Sequence, residues 1–286
     1  MADEGFIELE HGRRWYRRSG GDDALPILLL HGGPGAASYY LEPLEERLAE
    51  HRPVVVYDQL GCGRSDMPDD PSLWTIDFFT REVDQMREAL GLDRCHLLGQ
   101  SWGGWLSIDY LCREPEGIQS VVLASTSSNM PIFGENCRRL MAELPAPHGE
   151  VLLAGDLDDP RYPAAEYAFY MRHVCRLDPW PACMEKTGES LDGNQVYNTM
   201  NGPNEFTLVG NMKDWSRDAD LHRITQPTLI TYGGHDELGE PCALKIAEGI
   251  PHAELARFAE SSHVAHIEEA DLYAATVEAF LERNDP

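Results

Sequence analysis

A five-residue turn with the sequence GQSWG, residues 99–103, lies between an apolar run and a helical pattern. The run at residues 95–98 predicts a short buried strand, and residues 105–113 predict a helix that ends before Pro115. Strand, G-x-S-x-G and helix in this order are typical of a nucleophile elbow, which exposes a strained serine above the sheet. We expect Ser101 to be a catalytic nucleophile, with a turn that carries no chemistry as the alternative.

Further apolar runs alternate with helical patterns along much of the chain. Continuous apolar runs are typical of strands that are buried on both faces of a mostly parallel sheet. They occupy residues 26–30, 53–57, 95–98, 121–124 and 227–232. Residues 6–17 predict an opening antiparallel hairpin, and residues 74–90 predict an amphipathic helix. The alternation predicts an α/β protein with a mostly parallel, doubly wound sheet and crossover helices.

The pattern changes after the fourth of these runs. Residues 128–222 contain helical spacing at 133–144 and 164–177 but no run typical of a parallel strand. Because a strand pattern resumes at residues 227–232, we expect a helical cap at 128–222 inserted into a core of residues 1–127 and 223–286. A separate helical domain is the alternative.

The first buried run ends in a loop with the sequence HGGPG, residues 31–35. Three glycines and a proline in five residues exclude regular secondary structure and leave backbone N–H groups free to point inward. In an acyl-transfer enzyme, such a loop supplies one arm of the oxyanion hole. We expect the N–H groups of Gly33 and Trp102 to form this hole, with a tight turn that carries no chemistry as the alternative.

A carboxylate and a histidine follow in the order that a catalytic triad requires. Asp236 comes just after the strand predicted at residues 227–232, where the acid of a triad belongs. Of the later histidines, His252 precedes the strand predicted at residues 254–258, and His266 begins a helical pattern. His263 follows that strand, so we expect it to be the general base.

Charge and composition exclude several classes of partner. The chain has 23 basic and 49 acidic residues and a net charge of −26, which argues against nucleic acid or an anionic membrane as a partner. Solubility or adaptation to salt explains this charge most simply, and a cationic ligand is the weaker alternative. No apolar stretch is long enough to span a bilayer, and no spacing of metal ligands or cofactor motif occurs, so we expect neither metal nor cofactor.

Two further features bear on the cellular compartment. The acidic N-terminus, residues 1–5, lacks the apolar segment of a secretory signal. The seven cysteines are odd in number and scattered, and they form no C-x-x-C pair, which is typical of reduced thiols. We therefore expect a cytoplasmic protein.

Together, these motifs closely resemble the proline iminopeptidase family of α/β-hydrolases over nearly the whole chain. The resemblance rests on residues 31–35, 58–65, 99–104, 197–206, 234–237 and 262–263. It implies an α/β-hydrolase fold and a serine hydrolase that releases an N-terminal residue, proline or a small apolar residue, from a peptide or amide. It also implies that Glu205 and Glu237 hold the free α-amino group of the substrate. Taken without the resemblance, each glutamate is more simply an exposed carboxylate.

The physical chemistry of an ammonium group agrees with two carboxylate partners. Entering a partly dry pocket removes hydration worth several kcal/mol, which carboxylates with good hydrogen-bond geometry offset. The expected partner is a small peptide or an aminoacyl amide. An amino acid amidase and a hydrolase that removes an aminoacyl group from a small biosynthetic intermediate fit the same residues.

Three other classes fit less well. A carboxylesterase shares the triad but does not need Glu205 or Glu237. A non-catalytic binding protein of this fold normally lacks part of the triad. Haloalkane and epoxide hydrolases have an aspartate where Ser101 stands.

Overall fold

A single twisted sheet forms the centre of the molecule. The computed structural model describes residues 3–21 and 24–286, and in those ranges eight strands join in one sheet. The strands are β1 (Asp3–Leu9), β2 (Gly12–Ser19), β3 (Ile27–Leu30), β4 (Val54–Tyr57), β5 (Cys95–Gln100), β6 (Ile118–Ala124), β7 (Thr228–Gly233) and β8 (Glu254–Phe258). Their order is β1-β2-β4-β3-β5-β6-β7-β8. The hairpin β1–β2 and its junction with β4 are antiparallel, and all other pairs are parallel.

Helices cover both faces of this sheet. In the core they are α1 (Glu42–Leu48), α2 (Ile76–Ala89), α3 (Trp102–Leu111), α9 (Gly239–Gly249), α10 (Ala265–Glu268) and α11 (Ala270–Arg283). Successive side chains of β3 point to opposite faces, so Leu28 belongs to the same apolar cluster as residues of α2, α3 and α9, while Leu29 shares a second cluster with residues of α1 and α11. This burial on both faces explains why the central strands are continuously apolar, and it confirms the predicted α/β-hydrolase architecture.

The elements predicted from the sequence differ from the observed ones mainly at their ends. The helix predicted at residues 74–90 is α2, which begins after Thr75, whose side chain accepts the Phe78 N–H. The helix predicted from residue 105 begins instead at Trp102, directly after the serine. Residues 1 and 2, which belong to the acidic N-terminus considered above, lie outside the described residues.

Five helices separate β6 from β7. They are α4 (Met130–Ala142), α5 (His148–Ala154), α6 (Tyr162–His173), α7 (Ala182–Leu191) and α8 (Gln195–Met200). The two predicted helices correspond to α4 and α6, whereas the sequence pattern did not predict α5, α7 or α8. The boundaries of the cap at residues 128–222 stay a prediction. In the part of the chain that the structure describes, no helix has the length and apolar character needed to cross a membrane.

Candidate active site

Ser101 lies in a strained turn between β5 and α3. Its backbone has φ 57° and ψ −121°, a region that few residues other than glycine adopt. The flanking glycines are required sterically: a Cβ at Gly99 would lie 2.1 Å from Gly103 O, and one at Gly103 would lie 2.0 Å from Leu30 O. The close approach of β3, β5 and α3 therefore holds the serine at the end of the central strands, as a nucleophile elbow requires.

Asp236 and His263 meet at the same edge of the sheet. Asp236 follows β7, His263 follows β8, and His263 Nδ1 lies 3.0 Å from Asp236 Oδ1. The same oxygen accepts the Leu238 N–H at 3.1 Å. Burial lowers the pKa of His263, but the charge and hydrogen bond of Asp236 together with the charges of Glu205 and Glu268 raise it more, so the pKa lies above its ordinary value. The arrangement places the Nδ1 proton on the side of the carboxylate and leaves Nε2 to face the cavity.

The other two histidines considered from the sequence lie elsewhere. His252 is exposed, and its Nε2 lies 2.9 Å from Gln226 O. His266 is buried in α10, and its Nε2 lies 3.2 Å from Tyr40 O. Neither contacts the Asp236 carboxylate, whereas His263 does.

His263 Nε2 has two polar neighbours on other segments. It lies 3.2 Å from Gln100 Nε2 and 4.0 Å from Glu237 Oε1. Ser101 and His263 line the same cavity, but within the described residues the Ser101 hydroxyl makes no hydrogen bond. Catalytic hydrogen bonds often form fully only when substrate binds, so this geometry is that of a resting site.

The two expected oxyanion donors lie beside the serine. A Cβ at Gly32 would lie 3.1 Å from Ser101 Cβ, so the loop at residues 31–35 packs directly against Ser101. Gly33 has φ 113°, and Trp102 is the first residue of α3. Across residues 3–21 and 24–286, neither of their N–H groups has a hydrogen-bond partner, which leaves both available to an oxyanion.

The two glutamates occupy different depths of the site. Glu205 follows α8 on the cavity wall, and burial raises the pKa of its carboxyl while His263 and the Tyr197 hydroxyl lower it in part. Glu237 is 0% exposed, so the interpretation of this residue as an exposed carboxylate is wrong. Its two oxygens have no hydrogen-bond partner among the described residues. Burial, Glu205 and Asp236 together raise the pKa of Glu237 well above its ordinary value.

A cavity of about 360 Å³ lies between the sheet edge and the inserted helices. Ser101, Gly33, Glu205 and His263 line its polar part. The opposite wall is largely apolar and comes from α7, the segment before it and the histidine loop: Val174, Trp180, Met184, Leu191 and Val264. The described residues contain no group of three or more histidine, cysteine, aspartate or glutamate side chains that is arranged to hold a metal ion.

Comparison with known proteins agrees with this geometry. Residues 26–270 match the family model described as alpha/beta hydrolase fold. The proline iminopeptidase of Heyndrickxia coagulans is 36% identical over 98% of this chain and 99% of its own length. The chain belongs to the proline iminopeptidase family of α/β-hydrolases. As a member of this family it is a serine aminopeptidase, a hydrolase of amide bonds.

Solved structures of similar sequence have the same fold over their whole length. The crystal structure of proline iminopeptidase from Mycobacterium smegmatis is 34% identical, with a TM-score of 0.92 and coverage of 99% of this chain and 98% of the other. The crystal structure of VinJ is 36% identical, with a TM-score of 0.94 and coverage of 99% of both chains.

His173, which was not singled out from the sequence, connects two loops of the site in this member of the proline iminopeptidase family. The carbonyl of His173, at the end of α6, accepts the N–H groups of Glu237 at 3.3 Å and His263 at 3.2 Å. The His173 ring donates from Nδ1 to the carbonyl of His235 at 2.8 Å. One residue of the inserted helices therefore contacts both the loop that carries Asp236 and the loop that carries His263. No local pattern signals such contacts, because they join segments that are distant in the sequence.

Proposed function

We propose that this enzyme releases the N-terminal residue, proline or a small apolar residue, from a short peptide or an aminoacyl amide. The observation that carries the proposal is a pair of carboxyl groups beside a serine–histidine–aspartate arrangement that, among residues 3–21 and 24–286, form no ion pair with lysine or arginine. Glu205 lies on the cavity wall, and Glu237 is buried within 4.0 Å of His263 Nε2, with both oxygens lacking a hydrogen-bond partner in the described part of the chain. A buried carboxylate is costly unless it is paired, and the α-ammonium of a substrate supplies the missing partner.

The proposed reaction proceeds through an acyl-enzyme. His263 Nε2 takes the Ser101 proton as the hydroxyl attacks the carbonyl of the first residue. Asp236 orients the imidazole and stabilises its cation, and the N–H groups of Gly33 and Trp102 stabilise the oxyanion. His263 then donates its proton to the leaving amine. Water attacks the acyl-enzyme by the same route and frees the amino acid.

The ammonium site sets the position of the scissile bond in this proposal. Because Glu205 and Glu237 lie close to His263, an ammonium between them places the adjacent carbonyl near the serine. An acylated amine carries no charge and leaves both carboxyl groups unpaired. The proposal therefore predicts that the enzyme requires a free α-amino group.

Two alternatives keep the same chemistry. An amino acid amidase and a hydrolase that removes an aminoacyl group from a small biosynthetic intermediate differ only in the leaving group. A general carboxylesterase is a distinct alternative, because it gains nothing from a buried Glu237 whose oxygens have no hydrogen-bond partner in the residues that the structure describes.

The test compares substrates with and without the charged amine. We expect hydrolysis of L-prolyl- and L-alanyl-p-nitroanilide, but not of their N-acetyl forms. Replacing Glu205 by Gln should lower kcat/KM for the free-amine anilides by about 10–150-fold, the loss of one hydrogen bond to a charged group. Glu189→Gln, an exposed glutamate of α7, is the matched control and should leave the rate unchanged.

The outcomes separate the candidates. Equal or faster turnover of the acetylated anilides and of p-nitrophenyl acetate would identify a general esterase. Ser101→Ala should abolish every activity, and full activity in that variant would refute the acyl-enzyme. The ratio of prolyl to alanyl turnover reports the preferred N-terminal residue.

We propose that the cap comprises residues 128–222 and the core residues 1–127 and 223–286. Supporting this division, α4 to α8 all fall between β6 and β7, and residues of α6, α7 and α8 line the cavity over Ser101.

We further propose a cytoplasmic location. The seven cysteines are free thiols, and six of them are buried. Free thiols are typical of reducing compartments.

A further inference from the structure

A hydrogen-bonded chain of two side chains joins the oxyanion loop to the histidine loop. The Gly32 N–H donates to the Tyr40 hydroxyl oxygen at 2.7 Å, and the Tyr40 hydroxyl donates to Gln100 Oε1 at 2.5 Å. Gln100 Nε2 then donates to the carbonyl of His263 at 3.1 Å. Tyr40 and Gln100 are 4% and 2% exposed, so water competes little for these bonds. Gln100 lies directly before Ser101, so the chain passes beside the nucleophile.

The two backbone groups at its ends fix the direction of this chain. The Gly32 N–H is able only to donate, so the Tyr40 hydroxyl accepts from it and turns its own proton toward Gln100. The group that receives this proton is the amide oxygen. The carbonyl of His263 is able only to accept, so the amide nitrogen faces it.

This orientation brings the Gln100 amide against the reactive nitrogen of the base. Gln100 Nε2 lies 3.2 Å from His263 Nε2 as well as 3.1 Å from the His263 carbonyl. A neutral imidazole with its proton on Nδ1, toward Asp236, presents a lone pair at Nε2 and accepts this second N–H. An imidazolium presents an N–H there and faces another donor. The contact therefore favours the neutral form of His263.

We propose that Gln100 is a positioning residue that holds His263 in its neutral, proton-accepting form and ties it to the oxyanion loop through Tyr40. The Ser101 hydroxyl needs the lone pair that Gln100 occupies in the resting site. When substrate binds, the Ser101 hydroxyl replaces the Gln100 amide as the donor to His263 Nε2. His263 therefore stays neutral until the serine reacts. This proposal rests on the proposed roles of Ser101 and His263 in acyl transfer.

Several charged groups also act on His263, and the test must leave them in place. They come from the acid loop, the inserted helices and α10, and they are Asp236, Glu237, Glu205, Glu268 and His266. Burial lowers the pKa of His263, and Asp236 and the other carboxylates raise it. Because a substitution at Gln100 alters none of these groups, a shift in the pKa of His263 reports the amide.

The test measures the protonation of the base without relying on any peptide substrate. A fluorophosphonate probe labels an activated serine, and the acid limb of its rate against pH follows the pKa of the general base in the free enzyme. Gln100→Met has similar length and no donor, so the neutral imidazole loses one hydrogen bond. We expect the acid limb to move to higher pH by about 0.5–1 unit.

Two further variants separate this effect from loss of structure. Gln100→Asn keeps an amide but withdraws it by one methylene, so we expect the same upward shift. Tyr40→Phe breaks the chain at its other end but leaves the Gln100 amide beside His263. We expect slower labelling of Tyr40→Phe with the acid limb unchanged, since the oxyanion loop loses its anchor while the base keeps its donor.

A direct titration covers the case in which the variants label too slowly. In the Ser101→Ala background, ¹⁵N-histidine NMR should show a higher pKa for His263 with Gln100→Met than without it. An unchanged acid limb and an unchanged His263 titration in a folded variant would overturn the proposal. If the probe labels Ser101 of the wild type but the enzyme releases no residue from free-amine anilides, the proposed function fails. Comparing the acid limb of labelling in Gln100→Met with that of the wild type still tests the role of Gln100 in that case.

Discussion

Glu237 offers a case in which one substitution should stabilise the protein and impair its activity. The side chain is 0% exposed, and neither of its oxygens has a partner among the residues described. Burial, with Glu205 and Asp236, raises the pKa of its carboxyl well above the ordinary 4.5. In the folded enzyme this group is therefore either protonated against the solution pH or ionised without a partner, and both states cost free energy.

The size of the cost follows from the pH. The unfolded carboxyl ionises at 4.5, so keeping the folded one protonated at pH 7 costs at most about 3.4 kcal/mol. In Glu237→Gln, the neutral amide keeps part of the desolvation cost. We therefore expect a gain of about 1–2 kcal/mol in the free energy of unfolding at pH 7. For a chain of this size, that gain raises Tm by about 2–4 °C.

The pH dependence has a definite sign. Because the pKa of Glu237 is higher in the folded than in the unfolded state, the penalty is absent below the unfolded pKa and grows as pH rises above it. It stops growing once pH passes the folded pKa. The Tm difference between Glu237→Gln and the wild type should therefore be small at pH 5.5 and larger at pH 8.

The assay is thermal unfolding followed by circular dichroism between pH 5.5 and 8. Glu240→Gln, an exposed glutamate of α9, is the matched control and should shift Tm little at either pH. In parallel, kcat/KM for L-prolyl-p-nitroanilide should fall at least about tenfold in Glu237→Gln, because the ammonium loses one charged partner. A lower Tm in this variant, or a difference that does not depend on pH, would refute the reasoning.

Three further predictions concern the framework that holds the site. Glu82→Gln should cost about 3–5 kcal/mol in urea unfolding, because it leaves the fully buried guanidinium of Arg14, now 2.7 Å from Glu82, without its counter-charge. Gly103→Ala should abolish fluorophosphonate labelling or folding, since its Cβ would lie 2.0 Å from Leu30 O. Asp285→Asn should lower the free energy of unfolding in urea by about 1 kcal/mol, because the Asp285 carboxylate pairs with the buried side chains of Arg52 and His96.

Two controls at exposed positions accompany these substitutions, one for the buried charges and one for Gly103. Asp66→Asn removes an exposed partner of Arg13 and should cost under about 1 kcal/mol. Gly21→Ala, at an exposed position outside the cavity, adds a Cβ that meets nothing within 4 Å, so it should leave labelling intact. Equal losses at Glu82 and Asp66, or full labelling of Gly103→Ala, would contradict the importance given to burial and close packing.

The parts of the site that were predictable depend on short-range patterns. The elbow at residues 99–103 has its own glycine spacing, and the strand before it and the helix after it are adjacent in the sequence. Asp236 and His263 were predictable as a pair because parallel strands place their carboxyl ends at one edge of the sheet. The meeting of their side chains at 3.0 Å agrees with that rule.

The inserted helices were harder to predict. α5 and α8 have only seven and six residues, too few for a clear helical period, and their ends are set by packing over the core. The depth of Glu237 was also not predictable, because the residue follows a strand and precedes a helix, a position that is often exposed. The segment that holds Glu237 packs against another element, where the carbonyl of His173 accepts its N–H.

The sequence by itself determined the class of fold, the order of the proposed nucleophile, acid and base, and the glycines that the elbow needs. These features follow from local chemistry: apolar runs form buried strands, and only glycine tolerates the contacts around Ser101. Tertiary structure alone decided which groups act on the base, since Gln100, Glu205 and Glu237 come from three distant segments. Their effect depends on separations of a few ångströms and on exclusion of water, quantities that no spacing along the chain contains.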